Sequence, residues 1–270
     1  MRHRLFAVAT RACAVGIVAM LVGIVGLLAR DGLAEVDLAF LAEAPREAGR
    51  AGGIGSLVVA TIGVLAIGIG VATPLGLACA VWLAEYGGGR WALRSALDVL
   101  AAVPSIVYGL VGMAVFCEGL GLGWSLWSGG LTVAVMILPL LVRLGEEGLR
   151  AVPDSLRTAG AALGLPRWRL LLKVLLPEAA PAFAAALVLA TGRVLAESAA
   201  LLLTAGSSLR MPDGPGSPGR VLALHVYTMA VDVPGGSARA AATGLVLVAV
   251  IAACSALATR APALLLRVRA

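Results

Sequence analysis

Uncharged apolar runs alternate along this chain with short charged segments, and six of the runs approach or exceed the roughly 20 residues that one membrane-spanning helix needs. They predict spans at 12–29, 54–84, 99–116, 124–142, 181–204 and 240–259 in one all-α, polytopic transmembrane domain covering 1–270. The opening MRHRLFAVATR has the charge of a signal peptide. The apolar run behind it exceeds the usual h-region of about 7 to 15 residues, so it reads as a retained span. Pro74, with Gly68, Gly70 and Gly76 around it, is expected to kink or break the second span, a device suited to lining a cavity. Pro139 is expected to break the fourth. The loop 30–53 carries five acids (Asp31, Glu35, Asp37, Glu43, Glu47) against three arginines and reads as external. The Gly/Pro-rich region 206–239 surrounds the apolar piece VLALHVYTMAV and reads as a partly structured external loop.

Between the fourth and fifth spans lies the only long, strongly charged stretch, 143–180. Its middle predicts a short helix. Pro153 and Asp154 suit a helix start, Leu156, Ala159 and Leu163 share a face, and Gly164 with Pro166 stops it. So short a helix is not stable alone and needs a partner surface. With this stretch inside, fourteen basic residues fall on inside segments and six on outside ones, which places both termini in the cytoplasm.

Composition narrows the function classes. Apolar residues make up 60% and charged residues 13%, with mean hydropathy +1.00, far from a soluble domain. The net charge of +6 suits a membrane protein facing anionic lipid and calls for no nucleic acid. Cys13, Cys79, Cys117 and Cys254 have no paired spacing and read as small apolar residues. The only lysine, Lys173, follows Leu172, so the chain has no Gly-x-x-x-x-Gly-Lys phosphate loop and is not itself a P-loop ATPase. His3 and His225 are solitary, against a histidine-based metal site or triad, and His225 is expected in a loop.

Charges inside the apolar runs carry the functional reading. Arg193 falls near the middle of the fifth span, where an arginine costs about 2.5 to 3.5 kcal/mol on insertion scales and must face a polar cavity or a partner. Glu197, one turn on, is the expected partner. Two readings stand: a buried pair that fixes helix packing, or a pathway arginine. Arg143, with Glu146 and Glu147 behind it, is either an anchor snorkelling to the interface or part of the same path. A guanidinium binds tetrahedral oxyanions through two parallel bonds and never loses its proton, so an arginine in a path favours an anion.

The central stretch resembles the loop of ABC importer permeases, whose pattern is Glu-Ala-Ala, three residues, Gly, nine residues, Ile-x-Leu-Pro. Here Thr158-Ala159-Gly160 precedes Gly164 and Val174-Leu175-Leu176-Pro177 at the same spacings, with Thr in place of Glu and Gly in place of the second Ala. Further matches, AVWLAEYGGGR, VPSIVYGLVGM, GWSLWSGGLTVAVMILPLLVRLGEEGLRAVP, LLPEAAP, GRVLAESAALLLTAG and LALHVY, cover most of 81–227 and resemble the PstA-type permease subunit of the phosphate ABC importer. That resemblance implies a substrate path through Arg143, Glu146 and Arg193, to which the charge pattern adds Glu197. It implies a coupling helix that docks on an ATPase through Asp154, Thr158, Ala159, Gly160, Gly164 and Pro177. It also implies a PstC-type permease partner, two copies of a PstB-type ATPase that hold ATP and Mg, an external PstS-type phosphate-binding protein, and no cofactor in this chain. A sulfate or molybdate permease would use the same arginines. An ion-coupled secondary transporter would explain Arg193 and Glu197 without an ATPase, and a membrane enzyme would have only Glu146 and Glu147 to start from.

Overall fold

The computed structural model describes the backbone of residues 2–87 and 90–267, and the side chains of residues 6, 9–87 and 91–256. Of the basic residues placed inside, Arg2, Arg4, Arg90, Arg260, Arg267 and Arg269 have side chains outside that set. The chain forms α1 (Arg2–Gly32), α2 (Leu38–Ala42), a small antiparallel hairpin of β1 (Pro45–Arg46) and β2 (Ala51–Gly52), then α3 (Gly55–Val81), which continues as a π-turn through Tyr86. Next come α4 (Arg90–Ala102), α5 (Ser105–Gly112) and α6 (Leu126–Arg150). After α7 (Asp154–Ala162), α8 (Arg167–Leu170) runs through a π-turn into α9 (Leu176–Leu195). Finally α10 (Ala199–Thr204), α11 (Leu222–Val231) and α12 (Ser237–Arg267) follow. Among the described residues, five helices are long and apolar enough to cross a membrane, or six when the bent pair α4 and α5 counts as one span.

The core is α3 against α6, with α9 completing it. The two helices approach closely because small residues meet large ones. A Cβ on Gly68 would stand 2.7 Å from Val133 Cγ2, one on Gly130 would stand 2.5 Å from Ile67 Cβ, and one on Gly76 would stand 2.9 Å from Leu141 Cβ. Val64, Ala72, Val133, Ile137 and Leu141 fill the seam. Among the described residues, α1 has no buried residue in its apolar stretch and packs mainly along α12, so a broad apolar surface remains exposed.

Proline placement departs from the expected breaks. α3 runs unbroken through Pro74 and α6 through Pro139. Gly70, four residues before Pro74, has no side chain, and the space where a Cβ would stand is open. The real break is at Pro104, inside the expected third span: α4 and α5 meet there at 102°. Pro104 has no N–H for the Leu100 carbonyl, which instead accepts from the Tyr108 hydroxyl at 2.7 Å and from Val103 N–H at 3.2 Å. The fourth span also extends past Val142 to Arg150, and the expected span 181–204 divides into the long helix ending at Leu195 and the separate α10.

At one end of the bundle, the 206–239 region is an ordered cap. Its Pro215 and Ser217 carbonyls accept from Trp127 and Leu126 N–H at 3.0 and 3.1 Å, the Ser125 hydroxyl accepts from Ser128 N–H at 3.2 Å, and Ser125 N–H donates to the Thr204 carbonyl at 3.2 Å, so all four orphan donors at the start of α6 are satisfied. Arg239 pairs with Glu35 at 3.1 Å and lies over the Phe40 ring. His225, expected in a loop, sits in α11 with 2% of its surface exposed. Burial, then the nearby Arg220 and Arg239 cations, push its pKa down from 6.5 to about 4.

The folded chain holds His225 neutral, so its fold is unpenalised above pH 6.5 and loses stability as pH falls from 6.5 to about 4, by roughly 3 kcal/mol in full at about 1.4 kcal/mol per pH unit. Thermal unfolding of detergent-solubilised protein checks this. His225→Gln is expected to flatten that part of the pH profile, and an unchanged profile would contradict the assignment.

Candidate functional site

Three helices border a half-open cavity of about 700 Å³ at the level of the intramembrane charges. α6 contributes Met136, Pro139, Leu140, Arg143, Leu144 and Glu147, which recur at the three- and four-residue intervals of one helix face. Leu189 and Arg193, one turn apart on α9, form a second wall, and Leu100 and Ala101 of α4 form a third. Polar and charged groups therefore sit in an otherwise apolar lining, the usual build of a ligand site.

Of the four expected path residues, Arg143, Arg193 and Glu197 reach this cavity and Glu146 does not. Glu146 is one position off the lining face, 8% exposed, and is held by Arg94 of α4 and by Arg150 at 2.9 Å. Its neighbour Glu147 is the carboxylate on the cavity side. The helical interval from Arg143 points to Glu147 as readily as to Glu146, and only the position of α4 separates them. Arg143 is engaged by Asp98 of α4. Asp98 and Arg94 carry no sequence signal beyond their place on an amphipathic segment.

The expected pairing of Arg193 with Glu197 along one helix does not form. α9 ends at Leu195, and Glu197 lies in the break before α10. There its Oε1 accepts from the Ala200 N–H at 3.1 Å, which satisfies an orphan donor of the new helix. Among the described residues no carboxylate comes within ion-pair distance of Arg193. Of the two cavity arginines, it is the one with its fork unclaimed.

The central stretch holds α7, where a short helix was expected. Asp154, Thr158 and Ala159 are exposed on it. Leu163, which the pattern grouped with Leu156 on one face, is 78% exposed while Leu156 is half-buried. Gly160 faces inward, and a Cβ there would stand 2.5 Å from Leu170 Cδ1. Gly164 has φ +68 and closes the helix: Leu165 N–H bonds the Gly160 carbonyl at 3.0 Å, and Gly164 N–H bonds Ala161 at 3.0 Å. Thr158 bonds back to the Asp154 carbonyl at 3.1 Å. Pro177 lies away from this face, in the first turn of α9 after the π-turn Leu171–Leu175. The expected coupling residues thus divide into an exposed group (Asp154, Thr158, Ala159) and residues that shape the support (Gly160, Gly164, Pro177).

A family model described as binding-protein-dependent transport system inner membrane component matches residues 72–266. The chain is 35% identical over 197 residues to the probable ABC transporter permease protein YqgI of Bacillus subtilis (strain 168), across 72% of this chain and 67% of that one. It is 39% identical over 160 residues to the phosphate transport system permease protein PstA 1 of Mycobacterium tuberculosis (strain CDC 1551 / Oshkosh), across 58% of this chain and 53% of that one. The match thus spans about half the length of the mycobacterial relative. In fold, it is similar to a chain of the MetNI methionine ABC transporter solved in inward-facing conformations, with TM-score 0.60, 18% identity, and 77% of this chain and 95% of that one covered.

Proposed function

We propose a function from one premise: the chain belongs to the family of binding-protein-dependent transport system inner membrane components. It is the membrane-spanning permease subunit of an ATP-driven importer and carries inorganic phosphate inward across the cytoplasmic membrane, with both of its own termini inside. The observation that carries the substrate class is Arg193, an arginine on the wall of a 700 Å³ cavity with no carboxylate partner among the described residues. A guanidinium in that position is satisfied by an oxyanion accepting two parallel hydrogen bonds. Glu147 and Glu197 line the same space. An ionised carboxylate only accepts hydrogen bonds, so it repels sulfate and accepts a bond from the hydroxyl that phosphate keeps near neutral pH. The named relative PstA 1, a phosphate transport permease, points the same way.

ATP acts through partners. The exposed face of α7 docks on an ATPase dimer of the PstB type, a PstC-type permease covers apolar surface such as that of α1, and a PstS-type protein delivers phosphate outside. Closure of the ATPase dimer moves α7, and the two permease halves rock to open the cavity outward. Uptake of labelled phosphate by the assembled importer, in the presence of a large excess of sulfate or molybdate, tests the substrate. Phosphate uptake is expected to persist. Full competition by sulfate would make this a permease for another oxyanion.

A further inference from the structure

We propose that Arg157 is a positioning residue that locks α7 to the ends of α6 and α3, so that the three elements move as one body. The proposal rests on the reading of α7 as the ATPase-coupling element. Arg157 lies on the side of α7 away from the exposed face, with 24% of its side chain accessible. Its Nη1 donates to the Val152 carbonyl at 2.7 Å and to Asp154 Oδ1 at 3.2 Å. Its Nη2 donates to the Leu149 carbonyl at 2.8 Å and to Glu85 Oε1 at 2.9 Å.

The acceptors belong to different parts of the fold. Leu149 is in the last turn of α6, its carbonyl taking a long bond of 3.4 Å from Val152 N–H, and Val152 lies just beyond, where a cation is favoured by the helix dipole. Glu85 belongs to the π-turn that extends α3. Only residues 151–153 link α6 to α7 covalently, so without Arg157 the docking helix would hang from a three-residue tether. Leu149 and Val152, whose carbonyls Arg157 holds, belong to a buried cluster with Leu175 and Ala179 on which Leu156 and Leu170 pack, so two of the four acceptors are set in a firm base.

What the clamp does follows from α6 being one unbroken helix. Leu149, which Arg157 holds, and Glu147 and Arg143, which line the cavity, lie within two turns of it, about 9 Å at 1.5 Å per residue. Displacement of α7 is therefore delivered directly to the α6 wall. Lysine cannot reproduce this, because its single ammonium lacks the planar fork that reaches four acceptors at once.

The test uses the assembled importer in proteoliposomes and reads three quantities: ATPase retained on co-purification, ATP hydrolysed, and inorganic phosphate taken up per ATP. Arg157→Gln is expected to keep the ATPase bound and hydrolysing while phosphate per ATP falls about tenfold or more, the scale of losing charge-assisted bonds. Arg157→Lys is expected to recover part of that ratio through Glu85. Glu85→Gln, a milder change that leaves an acceptor oxygen, is expected to lower the ratio less and carries the test should Arg157→Gln fail to insert. A wild-type ratio in Arg157→Gln, or in Glu85→Gln if that is the variant available, overturns the proposal. Loss of ATPase binding in Arg157→Gln also overturns it, since Arg157 would then be a docking residue. Ala159→Trp, on the exposed face, probes the underlying reading separately: it is expected to displace the ATPase, and normal binding with normal uptake would remove α7 from coupling whatever Arg157 does.

Discussion

Arg193→Gln is expected to abolish phosphate uptake while leaving the importer assembled. The substitution removes a charge and the bidentate fork from the cavity wall, and charge-assisted hydrogen bonds are worth about 1.5 to 3 kcal/mol, or roughly ten- to more than a hundredfold. Arg193→Lys keeps the charge without the fork and is expected to retain a fraction of uptake. Folding is not expected to suffer. Glu197 takes its hydrogen bond from Ala200 N–H and does not depend on Arg193 for a partner. The double variant Arg193→Gln with Glu197→Gln separates the two roles, with co-purification and uptake measured on both singles and the double. A purely structural pair would let the double variant recover activity, whereas a path arginine leaves it assembled and inactive. An active double variant would take Arg193 out of the path.

Much of the fold was legible because the bilayer demands long apolar runs, and those runs are explicit in this chain. The spacing that marked α7 was equally legible, since Pro153, Gly164 and Pro166 are local signals of helix ends. Proline at a break was not. Pro74 and Pro139 lie within continuous helices, while Pro104 turns the chain by 102°. At Pro104 the freed Leu100 carbonyl is satisfied by Tyr108, a contact across the bend that no window of sequence reveals.

The site was half legible for a similar reason. Residue type announced Arg193 and Arg143 as charges in apolar runs, but which neighbour each faces depends on helix rotation and on α4. Glu146 and Glu147 differ by one residue and so by about 100° around α6; one is held by Arg94 and Arg150, the other lines the cavity. Glu197 seemed one turn from Arg193 only on the assumption that the helix continues, and it stops at Leu195. Gly160 read as a small docking residue, whereas Gly164 read both as a docking residue and as the helix stop. One faces Leu170 and the other adopts φ +68 to end the helix.

Dependence on partners is the second large expectation, and it is close to all-or-none. The sequence has no Gly-x-x-x-x-Gly-Lys loop, its single lysine being Lys173 in the π-turn before α9. On the proposed function, the energy of ATP enters through the partner ATPase and α7. Labelled phosphate uptake into proteoliposomes, with this chain alone and with the second permease, the ATPase and the phosphate-binding protein added, therefore tests the central claim most directly. Uptake is predicted to be absent with the chain alone, even under an imposed ion gradient, and to appear with the full set only when ATP is supplied. Gradient-driven phosphate uptake by the chain alone would contradict the account and make it a secondary transporter.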